Sequence, residues 1–159
     1  MTGDVQTRSG QSMLIQKLLP MAYWSAALLV SFAAMVRGGR DERLGSTIML
    51  AASVASVLVV NGIPVADRLH AIQTRVFLVD LVTLAAFVAM ALRSERFWPL
   101  WTAAFQLVAV TTHAAYLADP RIVPRAYVLA QGLWAYPIWG SVLVGLLARQ
   151  FSSRRRLNA

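Results

Sequence analysis

The chain has 159 residues, of which 58% are apolar and only 14% charged, against roughly 45–50% and 25% in a soluble domain. A water-soluble fold of this size could not hide that much apolar surface, so the composition predicts an all-α, polytopic transmembrane helical bundle. Cysteine is absent, which excludes disulfides, thiolate metal sites and cysteine nucleophiles. The net charge of +8 comes from arginines in short connections, where lipid headgroups rather than nucleic acid supply the counter-charge.

Residues 1–12, rich in Thr, Gly, Ser and Gln, read as a disordered tail. The first span, 19–36, carries no charge and is long enough for a hydrocarbon core about 30 Å thick at about 1.5 Å per residue. Arg37, Arg40 and Arg43 follow it directly, which argues for a retained span rather than a cleaved signal peptide. The second span, 45–63, stops at Pro64 and the Asp67-Arg68 pair. The third, 76–92, lies between Arg75 and Arg93 and holds the one acid inside any apolar run, Asp80. The fourth, 97–118, opens on Phe97, Trp98 and Trp101, with Pro99 suited to a first helical turn. The fifth, 126–148, has Pro137 at its middle, where a kink rather than a break is expected. Residues 152–159 form a basic tail, also expected to be disordered. No repeat or linker divides the chain: it reads as one membrane domain of five spans, with four spans and one re-entrant segment as the fallback.

Basic residues near span ends are retained in the cytoplasm. The N-terminal tail and the second and fourth connections hold Arg8, Lys17, Arg68, Arg75, Arg121 and Arg125. The other side holds Arg37, Arg40, Arg43, Arg93, Arg96, Arg149, Arg154, Arg155 and Arg156. The larger set places the C-terminus in the cytoplasm and the N-terminus outside.

Helices in lipid need small residues to approach closely, and the chain offers Ala22 with Ala26, Ala27 with Ser31, Ala52 with Ser56, and Ser141 with Gly145. These stripes either pack the bundle or face another protein. Under the five-span topology Asn61, Asp80, His113 and Gln131 all fall in the outer leaflet. On the fourth span Thr102, Gln106, Ala109, His113 and Tyr116 recur at helical spacing, so one polar or small face looks inward while Phe105, Leu107, Val108 and Val110 point elsewhere. The candidate site is therefore an outward-facing polar pocket on Asp80 and His113, with Gln131, Gln106 and Asn61 as hydrogen-bond partners. The plainer reading makes the same groups struts, with Asp80 paired to Arg75 or Arg125.

A haem would need His70 and His113 to face each other, and His70 sits in a polar turn; no cofactor and no metal are expected. Paired carboxylates, metalloprotease and nucleophile-elbow motifs and phosphate-binding glycine loops are missing, so no enzyme is expected. Tyr23, Trp24, Trp98, Trp101, Tyr127, Trp134, Tyr136 and Trp139 read mostly as interfacial anchors, with a planar apolar ligand near Trp134, Tyr136 and Trp139 as the alternative.

The stretch 93–145 contains the run Arg96-Phe97-Trp98-Pro99-Leu100-Trp101, His113, Asp119-Pro120, Arg125-Ala126-Tyr127 and Trp134-Ala135-Tyr136-Pro137. It resembles short multi-span proteins of bacterial inner membranes to which no activity is assigned. The resemblance implies that location and no mechanism. Two functions follow as expectations: an accessory or regulatory subunit, or homo-oligomer, acting through helix contacts with a membrane-protein partner; or a small transporter or channel-like protein with Asp80 and His113 as a proton-responsive pair.

A reporter active only in the cytoplasm, fused after Ala159, should be active, and one active only in the periplasm should be silent. The reverse pattern would overturn the orientation.

Overall fold

Apolar runs punctuated by Gly, Pro and arginine clusters fold as five helices: α1 (Gly3–Arg37), α2 (Arg40–Asn61), α3 (Arg68–Arg93), α4 (Trp98–Ala118) and α5 (Pro124–Leu157). The computed structural model describes the backbone of residues 3–61, 68–118 and 124–157, and the side chains of 18–61, 74–118 and 133–152. Three stretches, Leu18–Arg37, Arg40–Asn61 and Thr74–Arg93, are long and apolar enough to cross a membrane. The helices overrun the apolar segments. Both tails expected to be disordered are helical over most of their length, since α1 begins at Gly3 and α5 reaches Leu157. α5 passes through Pro137 as one helix.

Each helix packs on the next, α1 closes on α5, and α2 also touches α5. The result is a ring of five with its core at Ala27, Met49, Phe87, Met90, Trp98, Ala103, Ile138, Trp139 and Val142. Two residues, Gly38 and Gly39, suffice to reverse the chain between α1 and α2. Close approach requires glycine at Gly38, where a Cβ would strike the Ala34 carbonyl oxygen; at Gly39 a Cβ would meet the mobile end of Arg149. Neither glycine has a positive φ.

Trp98 holds the ring together at this end. Its indole is 5% exposed and lies against Gly45 of α2 and Gly145 of α5. A Cβ on Gly45 would sit 2.6 Å from Trp98 Cη2, and one on Gly145 2.5 Å from Trp98 Cδ1. The interfacial-anchor reading of Trp98 and Trp139 is thereby corrected: both are buried core residues. Trp101 is exposed. Two of the four small-residue pairs are spent inside the chain, with Ala27, Ser31, Ser141 and Gly145 buried, whereas Ala22 is exposed and Ala26, Ala52 and Ser56 are half-buried.

Gly145→Ala should cost about 1–3 kcal/mol, because three ring atoms of a buried, rigid indole lie within reach of the new methyl and cannot swing away. Thermal unfolding of the purified chain in detergent checks this. An unchanged midpoint would mean that the wedge yields.

Candidate functional site

The helical spacing of α4 decides which groups meet. Thr102, Gln106, Ala109, His113 and Tyr116 are all buried, as one inward face demands. Leu107 and Val108 are exposed, whereas Val110, expected outside, is buried. Two residues of the stripe reach α3. Nε2 of His113 lies 2.8 Å from Oδ2 of Asp80, and Nε2 of Gln106 donates to Oδ1 of Asp80 at 3.1 Å and to the Asp80 carbonyl at 3.3 Å. Asp80 therefore pairs with histidine, and among the described residues no ion pair joins it to Arg75; the side chain of Arg125 lies outside the described residues. Phe77, one turn before Asp80, leans on the His113 ring with centroids 6.4 Å apart. A neutral His113 must carry its proton on Nε2 to donate to the carboxylate, an assignment that follows from the contact geometry.

This cluster lines a partly open cavity of about 310 Å³ to which all five helices contribute: Tyr23 and Trp24 of α1, Ser53 and Ser56 of α2, Asp80 and Thr83 of α3, Gln106 and His113 of α4, and Trp134 and Ile138 of α5 among them. Asn61, expected as a partner, is not brought there. It is exposed at the last residue of α2, while Ser53 and Ser56, nearer the middle of that helix, take the cavity wall. The side chains of Gln131 and His70 lie outside the described residues. A second hydrogen-bonded chain borders the same cavity. Ser53 Oγ donates to the Met49 carbonyl at 2.8 Å, which spends its only proton. The 2.6 Å contact with Tyr23 is therefore a bond from the Tyr23 hydroxyl to Ser53, and Tyr23 in turn accepts from Trp139 Nε1 at 3.3 Å. Trp134 Nε1 is buried without a hydrogen-bond partner.

A polar cluster that the sequence reading missed sits at the end of the ring formed by the α1–α2 and α3–α4 connections. Glu42 is the third residue of α2, counting from Arg40, and its Oε2 accepts from the Gly39 N–H at 2.8 Å, the back half of a capping box. Its side chain is 0% exposed, with Arg96 Nη1 3.2 Å from Oε1 and Arg149 Nη1 4.0 Å from Oε2. The Arg96 contact has ion-pair distance without hydrogen-bond alignment, which leaves Oε1 unbonded. Beside it Ser94 donates to Asp41 at 2.6 Å. The signal in the sequence is two acids in a helix's first turn, with arginines beside them, in the α3–α4 connection and on α5.

Among the described residues no group of three His, Asp or Glu could hold a metal ion. Comparison with protein-family models, curated proteins and solved structures gives no match. The class is therefore set by fold and site alone: an all-α ring of five helices with a mostly apolar cavity that carries an aspartate–histidine pair on its wall.

Glu42→Ala should cost about 1–3 kcal/mol, because it orphans the Gly39 N–H and removes the buried carboxylate that Arg96 and Arg149 approach. Glu42→Gln keeps an acceptor for Gly39 and should cost less. Thermal melts of the two variants check the order, and equal midpoints for Ala and wild type would remove the clamp.

Proposed function

We propose that the protein is a five-span integral membrane protein of a bacterial inner membrane, N-terminus outside and C-terminus cytoplasmic, and that it works without catalysis as a small transporter or channel-like protein. The proton-responsive element in this reading is the Asp80–His113 pair. The observation that carries it is their 2.8 Å contact on the wall of a cavity shared by all five helices. Ionisable groups between apolar helices are costly and mark solute or proton paths more often than they serve packing.

The membrane setting is supported by three stretches of sufficient length and apolarity and by large apolar side chains turned outward along the helices, such as Leu29, Phe32, Val82 and Leu92. α4 and α5 supply the remaining two spans in this reading, since each is a full member of the ring. The polar face of α4 is turned inward.

A histidine beside a carboxylate changes the charge of the site by one proton. With a neutral imidazole the pair carries one negative charge; with an imidazolium it carries none. Tyr23 is the only other titratable group among the described lining residues, and no lysine or arginine is among them. Uptake of a proton therefore changes the field inside the cavity without placing an unpaired cation there. The alternative is an accessory subunit or homo-oligomer acting through helix contacts; two of its four small-residue pairs, Ala27 with Ser31 and Ser141 with Gly145, are occupied by the chain's own packing.

Proteoliposomes containing the wild type should dissipate an imposed pH gradient, and those containing Asp80→Asn should fall to the rate of empty vesicles while melting close to wild type. Equal rates for wild type and Asp80→Asn would overturn the proton-responsive reading and leave the pair as a strut between α3 and α4.

A further inference from the structure

We infer that the cavity is a binding site for a small organic cation, held between the Asp80 carboxylate and the aromatic rings of Tyr23, Trp24 and Trp134. The inference rests on reading this cavity as the working site and adds the chemistry of its ligand. Charge comes first. Among the described residues lining the cavity, Asp80 is the one acid, and no lysine or arginine joins it, so with His113 neutral the site attracts cations and repels anions. Asp80 also has capacity to spare. A carboxylate offers about four lone-pair directions, and His113 and Gln106 occupy one on each oxygen. The side chain retains 20% exposure.

The rest of the wall selects among cations. Tyr23 and Trp24 of α1 and Trp134 of α5 line the cavity, and aromatic faces attract ammonium groups, tryptophan most strongly. A bare metal ion would want several hard oxygen or nitrogen ligands, and no group of three stands together among the described residues. A volume of about 310 Å³ lies at the small end of ordinary ligand sites, which start near about 300 Å³. The wall also carries a buried donor without a partner, Trp134 Nε1, so a ligand that pairs its ammonium with a hydroxyl oxygen suits the site better than a plain tetraalkylammonium.

The full chain in lipid nanodiscs should be titrated with choline, and separately with 3,3-dimethylbutan-1-ol, which has the same shape without the charge, following tryptophan emission and heat. Choline should bind saturably, at least about tenfold tighter than the neutral isostere, and Asp80→Asn should weaken choline by about tenfold while leaving the isostere unchanged. Trp24→Leu, which leaves the Asp80 pair intact, should also weaken choline selectively, and it decides the matter if Asp80→Asn does not fold. Equal affinities for the two probes, or undiminished choline binding in both variants, would overturn the proposal. The transport reading fails separately: choline binding in nanodiscs without gradient dissipation in proteoliposomes keeps the cation site and removes transport, and dissipation with no preference for the cation does the reverse.

Discussion

Trp98 occupies space that only two glycines can vacate, and this contact sets how closely α2, α4 and α5 approach at one end of the ring. The indole gains enough from that fit to tolerate a buried Nε1 with no hydrogen bond, a defect that costs about 1–3 kcal/mol on its own. Directly outside the wedge, Glu42 draws in Arg96 and Arg149, and Ser94 bonds Asp41. One end of the bundle is thus closed twice, by shape and by charge. Farther along the helices Tyr23 and Trp24 of α1 and Trp134 of α5 line the cavity, with Ala52, Ser53 and Ser56 as its wall on α2.

The two ends also use different charges. Glu42 faces two arginines, Arg96 and Arg149. Asp80 faces an imidazole and an amide, with the Phe77 ring beside the imidazole. An ion-pair clamp at the closed end and a carboxylate–imidazole pair on the cavity wall are separate devices in one small bundle. Each can be altered without touching the residues of the other.

The sequence made the helices and one of their faces legible, because both follow from short-range periodicity. The stripe from Thr102 to Tyr116 is the clearest case: steps of three and four residues fix one face of α4, and that face is buried. Asn61 shows where the argument stops. It is the last described residue of α2 and is exposed, while the cavity wall on that helix is made by Ala52, Ser53 and Ser56. Glu42 was illegible for another reason. Its burial depends on arginines more than fifty and one hundred positions away, and no local pattern separates it from an ordinary helix-capping acid. Trp98 and Trp139 looked like interfacial aromatics by composition, and only the glycines facing Trp98 and the Tyr23 hydroxyl facing Trp139 reveal them as core.

Most hydroxyls of the bundle do nothing between helices. Thr83, Thr102 and Ser141 each donate to a carbonyl four residues back on their own helix, a bond that satisfies the group without linking neighbours. The interhelical polar bonds bordering the cavity fall into two sets among the described residues. Trp139, Tyr23 and Ser53 tie α5, α1 and α2, and His113 and Gln106 tie α4 to α3 through Asp80. Across the cavity the two sets are not hydrogen-bonded to each other among the described residues, whereas at the closed end Ser94 with Asp41 and Arg96 with Glu42 join the α3–α4 pair to α2.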